Sequence, residues 1–165
     1  MALHEQSTGA TDEWYTPPEV FQALGCTFDL DVAAPEDRRF CCAPARNFIT
    51  RDSLTQEWSG FVWMNPPFGG RNGLVPWLNK FVAHGNGVAL VPDRTSAPWW
   101  QDFMQEAEAV LFVRSKIKFI RADGKRGASP AQGTCLVSLG VQGALALRRA
   151  YGAGYGALMQ RVTHD

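Results

Sequence analysis

The chain has 165 residues, of which 45% are hydrophobic, so it can bury one core and leaves no room for a second domain of ordinary size. Lys plus Arg and Asp plus Glu both number 16, and this balance neither favours nor excludes a polyanionic partner. Because the chain does not open on a basic segment followed by an apolar one, and because Pro130 and several glycines interrupt the uncharged stretch 127–147, we expect neither a signal peptide nor a membrane span.

The first part of the chain predicts one helix and one strand. Residues 1–11 are polar and lack periodicity, so we expect a flexible N-terminus. Thr16-Pro17-Pro18-Glu19 predicts a helix start with Thr16 as the capping residue, and Gly25 ends the helix after about Leu24. Residues 27–32 alternate apolar side chains with acids and predict a short strand, whereas residues 33–46 are irregular and partly helical at best.

The rest of the chain alternates predicted strands and helices. Residues 61–64 form an apolar run that Asn65-Pro66-Pro67 cuts off, which indicates a buried strand ending in a rigid loop. The remaining elements are a helix over 75–84, a strand over 87–91, a helix over 97–108, a strand over 110–113, and a strand pair, 117–120 with 134–139, joined by a Gly-rich loop.

This order of elements predicts an α/β fold. We expect a single domain built on a mostly parallel sheet, with an antiparallel C-terminal strand pair and helices on both faces. We place the domain at residues 12–140 and treat residues 141–165 as a C-terminal extension that packs on it. Sheets of this class bind ligands at the carboxyl ends of their strands, where Asp31 and Asn65 both fall.

The motif Asn65-Pro66-Pro67-Phe68 carries the strongest chemical signal. The prolines restrict the loop, Asn65 supplies a side-chain oxygen, and the Pro66 carbonyl supplies a second acceptor nearby. Two fixed acceptors suit an NH2 group presented edge-on, whose lone pair they would turn towards an electrophilic methyl group. Phe68 would stack on the base. The simpler alternative is a tight turn followed by a core Phe.

With this motif the sequence resembles the amino-methyltransferases, and more closely the phage-type DNA N6-adenine methyltransferase (Dam) family. The resemblance covers approximately residues 12–139 and rests on several blocks in one order. These blocks are Asp12-Glu13-Trp14-Tyr15-Thr16-Pro17, Phe28-Asp29-Leu30-Asp31-Val32-Ala33-Ala34, Asp52-Ser53-Leu54 followed by Trp58, the Asn65 motif, Pro92-Asp93-Arg94-Thr95 and Lys116-Ile117-Lys118-Phe119.

The resemblance implies a Rossmann-like methyltransferase that transfers the methyl group of S-adenosylmethionine to the N6 amine of adenine in DNA. Asp31 matches the acid that meets the methionine ammonium group, and Asp29 stays an alternative because both carboxylates point to one side of the strand. Asp52 matches the group that accepts from the adenine of the cofactor. Tyr15 and Thr16 would lie against the methionine end.

The chain departs from the broader methyltransferase pattern at the cofactor site. The Gly-rich loop usual after the first strand is replaced by Ala33-Ala34-Pro35. Only 34 positions separate Asp31 from Asn65, which leaves little room for a second strand with a ribose-binding acid. We therefore assign no ribose-binding residue. The sequence Gly152-Ala153-Gly154-Tyr155-Gly156 follows no convincing strand and is not a phosphate loop.

Charge is unevenly distributed along the chain. Residues 12–37 carry seven acids and no Lys or Arg, whereas residues 114–126 carry six basic residues against one acid. Such a molecule can hold a cationic cofactor and a polyanion in different places. Together with the later blocks of the family, this distribution assigns DNA binding to Arg94, Lys116, Lys118, Lys125 and Arg126.

The four cysteines form no C-x-x-C pair and lie at no metal-ligand spacing with histidines, so we expect reduced thiols and no metal. The resemblance also implies a cytoplasmic protein, in a bacterial host cell if the gene is of phage or prophage origin. Too few residues follow Leu139 for a separate target-recognition domain, which leaves a homodimer possible.

Three alternatives stay open. The same motif serves N4-cytosine and protein-glutamine methylation, because both substrates present an NH2 on a conjugated carbon. RNA is a second alternative substrate. The third alternative is that the chain is a DNA-binding relative without catalysis, but the intact Asn65 motif argues against it.

Overall fold

The computed structural model describes residues 14–69 and 73–162, and the expected flexible segment 1–11 lies outside them. In chain order, the helices and strands are α1 (Pro18–Leu24), β1 (Phe28–Asp31), β2 (Ala45–Phe48), β3 (Val62–Met64), α2 (Val75–His84), β4 (Gly87–Pro92), α3 (Pro98–Glu106), β5 (Ala109–Val113), β6 (Thr134–Leu139), α4 (Gly140–Gly152) and β7 (Gly156–Gln160). A single 3-10 turn, Ser53–Thr55, lies between β2 and β3.

Within the described residues, seven strands form one sheet in the order β2-β1-β3-β4-β6-β5-β7. β1 pairs in parallel with β2 and β3, and β3 pairs in parallel with β4. β6 is antiparallel to both β4 and β5, and β7 is antiparallel to β5. The α/β class is confirmed. The expectation of a mostly parallel sheet is not confirmed, because the sheet is mixed.

The predicted pairing of segment 117–120 with 134–139 is wrong. β6 instead lies between β4 and β5, with Val91 opposite Cys135 and Leu111 opposite Leu136. Every residue of β6 is buried, as a central strand requires, whereas Lys118 is exposed. In segment 117–120, Ile120 alone forms bridges, to Tyr15 and Arg126.

One further strand differs from the sequence prediction. β2 falls at the end of the segment expected to be irregular and pairs with β1 at the edge of the sheet, with Phe28 opposite Ala45. Its central residues, Arg46 and Asn47, are exposed, so it carries no apolar pattern to reveal it. Residues 141–165 contain most of α4 and all of β7.

Helices cover both faces of the sheet. In β4, Ala89 and Val91 belong to a core that includes Phe81 of α2 and Phe103 of α3. The alternate residues of β4, Val88 and Leu90, belong to a second core on the opposite face. The helical side chains of this second core are Val20, Phe21 and Leu24 of α1 with Ala146, Leu147 and Ala150 of α4. Because side chains of a strand alternate between its faces, one buried strand supports both cores.

The helix start at Thr16 also differs from the expectation. α1 begins at Pro18, Pro17 occupies the position before it, and no side chain caps the helix. A capping Thr16 hydroxyl would accept from the backbone N–H of residue 18 or 19, and Pro18 lacks that group. At the other end Gly25 adopts the left-handed conformation, with φ of 59°, and its N–H donates to the Phe21 carbonyl, as predicted for a helix-ending glycine.

The direction of the strands gathers several loops at one edge of the sheet. β1, β3 and β4 run in the same direction, and β5 shares it because β5 and β4 are both antiparallel to β6. The chain therefore leaves the sheet at the same edge after Asp31, Met64, Pro92 and Val113. We call this side of the sheet the carboxyl edge.

Candidate active site

Asp31 is the last residue of β1 and is 3% exposed. Its Oδ1 accepts a hydrogen bond from the backbone N–H of Ala33, at 3.1 Å. Burial raises the pKa of the Asp31 carboxyl group to about 7, although the Ala33 bond acts in the opposite direction. Among the described residues no basic side chain bonds to Asp31, so an approaching cation would stabilise its charged form.

Asn65 follows β3 at the same edge and is half-buried. Its Nδ2 donates a hydrogen bond to the Oγ1 of Thr16 at 2.9 Å, and Thr16 is itself buried. In this orientation the amide nitrogen faces Thr16. This arrangement leaves Oδ1 as the side-chain acceptor that can meet an incoming donor.

The residues after Asn65 differ in exposure. Pro66 is buried, Pro67 is exposed, and 40% of the Phe68 side chain is exposed. Phe68 is therefore not a core residue, contrary to the simpler interpretation of the motif as a turn before a core Phe. An accessible ring beside a fixed acceptor is suited to stacking on a planar ligand.

Tyr15 anchors the segment that holds Thr16. Its N–H donates to the Ile120 carbonyl at 2.8 Å, and its carbonyl accepts from the Ile120 N–H at 2.9 Å. The buried phenol donates to the Asp37 carbonyl at 2.7 Å. These bonds fix Thr16 relative to both the basic segment and the loop after β1.

Asp29 has a partner in the protein. Its Oδ2 accepts a hydrogen bond from the Phe61 N–H at 2.8 Å. Gly60, with φ of 73°, lets the chain approach closely, because a Cβ at this position would lie 2.5 Å from the same Oδ2. Asp29 therefore ties β1 to the segment before β3, whereas Asp31 lies two residues nearer the carboxyl edge.

Asp52 lies in a strained, exposed turn. Its φ of 52° is in the left-handed region, which residues other than glycine rarely adopt. The Asp52 carbonyl accepts from the N–H of Thr55 at 3.0 Å and from its hydroxyl at 2.9 Å. These bonds fix the backbone of the turn, and Asp52 itself is exposed.

The predicted DNA-binding residues follow strands that end at the carboxyl edge, Arg94 after β4 and the other four after β5. Two of them contact the loop before β6: Arg94 Nε donates to Gln132 Oε1 at 2.9 Å, and Lys116 Nζ to the Ala131 carbonyl at 2.8 Å. Lys118 is exposed.

Lys125 and Arg126 lie in a hairpin over residues 119–127, which is closed by hydrogen bonds from Arg121 N to Lys125 O and from Gly127 N to Phe119 O. Lys125 is exposed. Arg126 forms a two-bonded ion pair with Glu19 of α1, with Nη2 at 2.9 Å from Oε2. This pair lowers the pKa of Glu19 and offsets the Arg126 charge locally.

A family model described as DNA N-6-adenine-methyltransferase (Dam) matches residues 5–142. The chain belongs to this family. The matched range includes Asp31, Asp52 and the Asn65 motif, and the family expected from the sequence is confirmed. A search of curated proteins and a search of solved structures returned no match.

Methyltransferases generally use S-adenosylmethionine, and the site has a feature that fits this cofactor. The ligand carries a methionine ammonium group and a positively charged sulfur, so a binding site must supply negative charge. Asp31 is a buried carboxylate without a cationic partner among the described residues. Its chemistry and its position at the carboxyl edge both fit the ammonium group.

Two cavities lie elsewhere than at Asp31 and Asn65. One of about 220 Å³ is lined by Arg114, Lys118 and the Glu19–Arg126 pair among others, and is therefore largely basic. A wider one of about 510 Å³ lies between α1 and the segment before β2. Neither is lined by Asp31 or Asn65 among the described residues.

The cysteines are not poised for nucleophilic chemistry. Burial raises the pKa of Cys135 to about 12 and also raises the pKa of Cys41 and Cys42. In residues 14–69 and 73–162 no cluster of three His, Cys, Asp or Glu side chains could hold a metal ion. None of the helices in the same ranges is long and apolar enough to cross a membrane.

Sequence reasoning missed Lys80 of α2. Its ammonium group donates to the carbonyls of Ser53 and Leu54, at 2.9 and 3.0 Å, and to that of Gln56. It also lies 4.9 Å from the centre of the Trp58 ring. A single lysine in a helix gives no local sign of such contacts, and its hydrogen-bond partners lie at least 24 positions away in the chain.

Proposed function

We propose that this protein transfers the methyl group of S-adenosylmethionine to the N6 amine of adenine in DNA. The observation that carries the proposal is the hydrogen bond between Asn65 and Thr16 in a member of the Dam family. With the amide nitrogen facing Thr16, the amide oxygen would accept from the target amine. Asn65 also follows a strand that ends at the same edge as Asp31.

Asp31 and Asp52 are the proposed cofactor residues. The buried Asp31 carboxylate would pair with the methionine ammonium group, and Asp52 would accept from the amine of the cofactor adenine. When bound, S-adenosylmethionine supplies an electrophilic methyl group on a positively charged sulfur. Asp29 is the weaker candidate, because its carboxylate already accepts from the Phe61 N–H.

Asn65 and Pro66 are the proposed partners of the target amine. The Asn65 Oδ1 and the Pro66 carbonyl accept its two hydrogens and free its lone pair from the ring. The amine nitrogen then forms a bond to the methyl carbon as the carbon–sulfur bond breaks, in line. The proton leaves to water after the new bond forms, so no side chain has to act as a strong base.

Phe68 and the basic loops are proposed to hold the DNA. A target base must leave the duplex stack to reach a protein site, and this costs a few kcal/mol. The exposed Phe68 ring offers a stacking surface that offsets part of that cost. Lys118 and Lys125, which are both exposed and both follow β5, would contact phosphates.

N4-cytosine methylation is the second candidate, since its amine presents the same two hydrogens to Asn65 and Pro66. The two products are distinguished by digesting DNA treated with labelled cofactor and identifying the nucleosides by mass spectrometry. We expect 6-methyladenine, and none from an Asn65→Ala control. Finding 4-methylcytosine alone would overturn the base assignment, and labelled RNA or protein without labelled DNA would overturn the substrate class. Intact cofactor binding with no methylated product would identify a relative without catalysis.

A further inference from the structure

Trp14 is exposed, whereas the other five tryptophans, all of which the structure describes, are buried or half-buried. Its exposed fraction is 53%. Single exposed hydrophobic side chains are common on protein surfaces, so the exposure of this ring acquires a meaning only from its surroundings.

Trp14 belongs to the first of three short antiparallel segments. Tyr15 bridges to Ile120, and Ile120 bridges to Arg126, so segments 14–16, 119–121 and 125–127 lie side by side. Side chains alternate between the two faces along such segments, and residues that lie opposite each other share a face. Tyr15, Ile120 and Arg126 therefore share one face. The opposite face, which we call the Trp14 face, consists of Trp14, Thr16, Phe119, Arg121, Lys125 and Gly127.

The side-chain contacts agree with this division. The Tyr15 phenol reaches the Asp37 carbonyl, whereas the Trp14 ring lies over Gly127. A Cβ at Gly127 would be 2.6 Å from the Cζ3 of Trp14, so the missing side chain makes room for the ring. The ring is therefore held against the backbone of the hairpin 119–127, while about half of the residue stays exposed.

The Trp14 face continues to the catalytic loop. Thr16 lies two residues after Trp14, and its Oγ1 is 2.9 Å from the Asn65 Nδ2. Two residues of extended chain span about 6.5–7 Å, so Trp14 lies close to the proposed acceptors of the target amine. Arg121 and Lys125 on the same face are exposed and basic. An open aromatic ring, positive charge and the catalytic loop thus belong to one surface.

We propose that Trp14 stacks on a DNA base that loses its neighbour when the target adenine leaves the duplex. The proposal rests on the proposed function. In an intact duplex each base is covered by its neighbours, and extrusion of one base uncovers the faces on both sides of the gap. Stacking of the indole on such a face offsets part of the cost of extrusion. Phe68 and Trp14 thus hold different bases, Phe68 the extruded one and Trp14 one that stays in the helix.

The simpler alternative is that Trp14 only braces the hairpin 119–127. A brace would support Lys125 and therefore affect all DNA equally, whether or not a base is uncovered. Stacking, in contrast, depends on an uncovered base and brings the indole into contact with DNA.

The first experiment uses the fluorescence of Trp14. Stacking on a base quenches the fluorescence of an indole, and Trp14→Phe keeps an aromatic ring but removes the exposed fluorophore. We expect a duplex with an abasic site to quench the wild type and not Trp14→Phe, although the two affinities should agree within about threefold because both proteins offer a ring. Equal quenching of the two proteins, or none in either, would overturn the proposal.

The second experiment measures the affinity of Trp14→Ala for three duplexes of one sequence. They carry the adenine that mass spectrometry identifies as the target, an abasic site in its place, or thymine in its place. Binding to the first two should weaken about 5- to 150-fold, and binding to the third by less than about threefold. Phe68→Ala should lose affinity for the first duplex alone, because an abasic site offers no base to hold. An equal loss by Trp14→Ala on all three duplexes would identify a brace and overturn the proposal.

The outcomes separate this proposal from the proposed function. If 6-methyladenine forms, and Trp14→Ala binds every duplex as the wild type does, only the role of Trp14 is wrong. If no DNA is methylated, but the abasic duplex quenches the wild type and not Trp14→Phe, the proposed function fails and the contact of Trp14 with DNA stands. If Trp14→Ala does not fold, the fluorescence of Trp14→Phe decides alone.

Discussion

The Lys80 ammonium nitrogen lies 2.9 Å from the carbonyl oxygen of Ser53, the residue after Asp52. The same group donates to the carbonyls of Leu54 and Gln56, so one side chain of α2 fastens the whole turn that carries Asp52. An amino group with three donors suits three carbonyls arranged in this way.

Replacing Lys80 with Met should loosen the Asp52 turn. We expect the free energy of unfolding to fall by about 1–2 kcal/mol, because three carbonyls lose the hydrogen bonds that the Lys80 ammonium group donates in the wild type. The cofactor Kd should rise several-fold while kcat at saturation changes little. Asn79→Ala, at an exposed position of the same helix, is the matched control in thermal unfolding and cofactor titration. An unchanged Kd would show that the turn does not bind cofactor.

Asn65→Ala should abolish methyl transfer without emptying the cofactor site. Removing a preorganised group that stabilises a transition state typically costs about 2.7–4 kcal/mol, or about 10²–10³-fold in kcat. The cofactor Kd should stay within a few-fold, since Asn65 is assigned to the target amine. Single-turnover methylation and calorimetric titration measure the two quantities. Activity within about tenfold of the wild type would contradict the catalytic assignment.

Asp31 should make cofactor binding depend on pH. In the free protein burial raises its pKa to about 7, and the charged form is the one that pairs with an ammonium group. The cofactor Kd should therefore fall as pH rises towards 7 and level off above it. Asp31→Asn should remove this dependence and weaken binding about tenfold or more, the usual effect of losing a charge-assisted hydrogen bond.

The same group gives a stability effect of the opposite sign. Because the folded pKa lies above 3.8, the usual value for an aspartate, the cofactor-free fold is favoured below pH 3.8 and loses this contribution as pH rises through about 7. Asp31→Asn should flatten that fall in thermal unfolding. Asp29→Asn is the control for position, and a Kd more sensitive to Asp29 than to Asp31 would reverse the assignment.

The sequence predicted what is encoded locally. The apolar run before Asn65 and the prolines after it were enough to predict β3 and its loop, and Gly25 predicted the end of α1. β2 was missed because Arg46 and Asn47 give no apolar alternation. Contacts between residues far apart in the chain could not be predicted from local sequence, and Thr16, which matched a cap motif, bonds to Asn65 instead. The order of the buried strands around β6 could not be predicted either, because uniformly apolar segments do not specify their pairing.

Lys125 and Arg126 should differ in their effect on DNA binding, although both lie in the hairpin 119–127. Lys125 is exposed, and Lys125→Gln should lower the slope of log K against log salt concentration by about 0.9 for each lost phosphate contact. Arg126 is paired with Glu19, so Arg126→Gln should change the slope less. Fluorescence anisotropy with several duplexes at a series of salt concentrations measures both slopes. An unchanged slope for Lys125→Gln would mean that the hairpin only connects two segments.

Phe68→Ala should reduce methylation of a fully paired target more than that of a target adenine placed opposite a mismatch or an abasic site. Phe68 is 40% exposed and lies three positions after Asn65, so its replacement leaves the core intact and removes the proposed stacking surface. Stacking on an aromatic side chain is worth about 1–3 kcal/mol per base, and it offsets the cost of taking the base out of the duplex. A mismatch or an abasic site already lowers the cost of taking the base out of the duplex, so loss of the stacking surface should matter less there. Rates on the three duplexes, measured for the wild type and for Phe68→Ala, give the comparison, and Phe68→Tyr should keep the wild-type pattern because it retains the ring. Equal losses on all three duplexes would contradict a role in holding the extruded base.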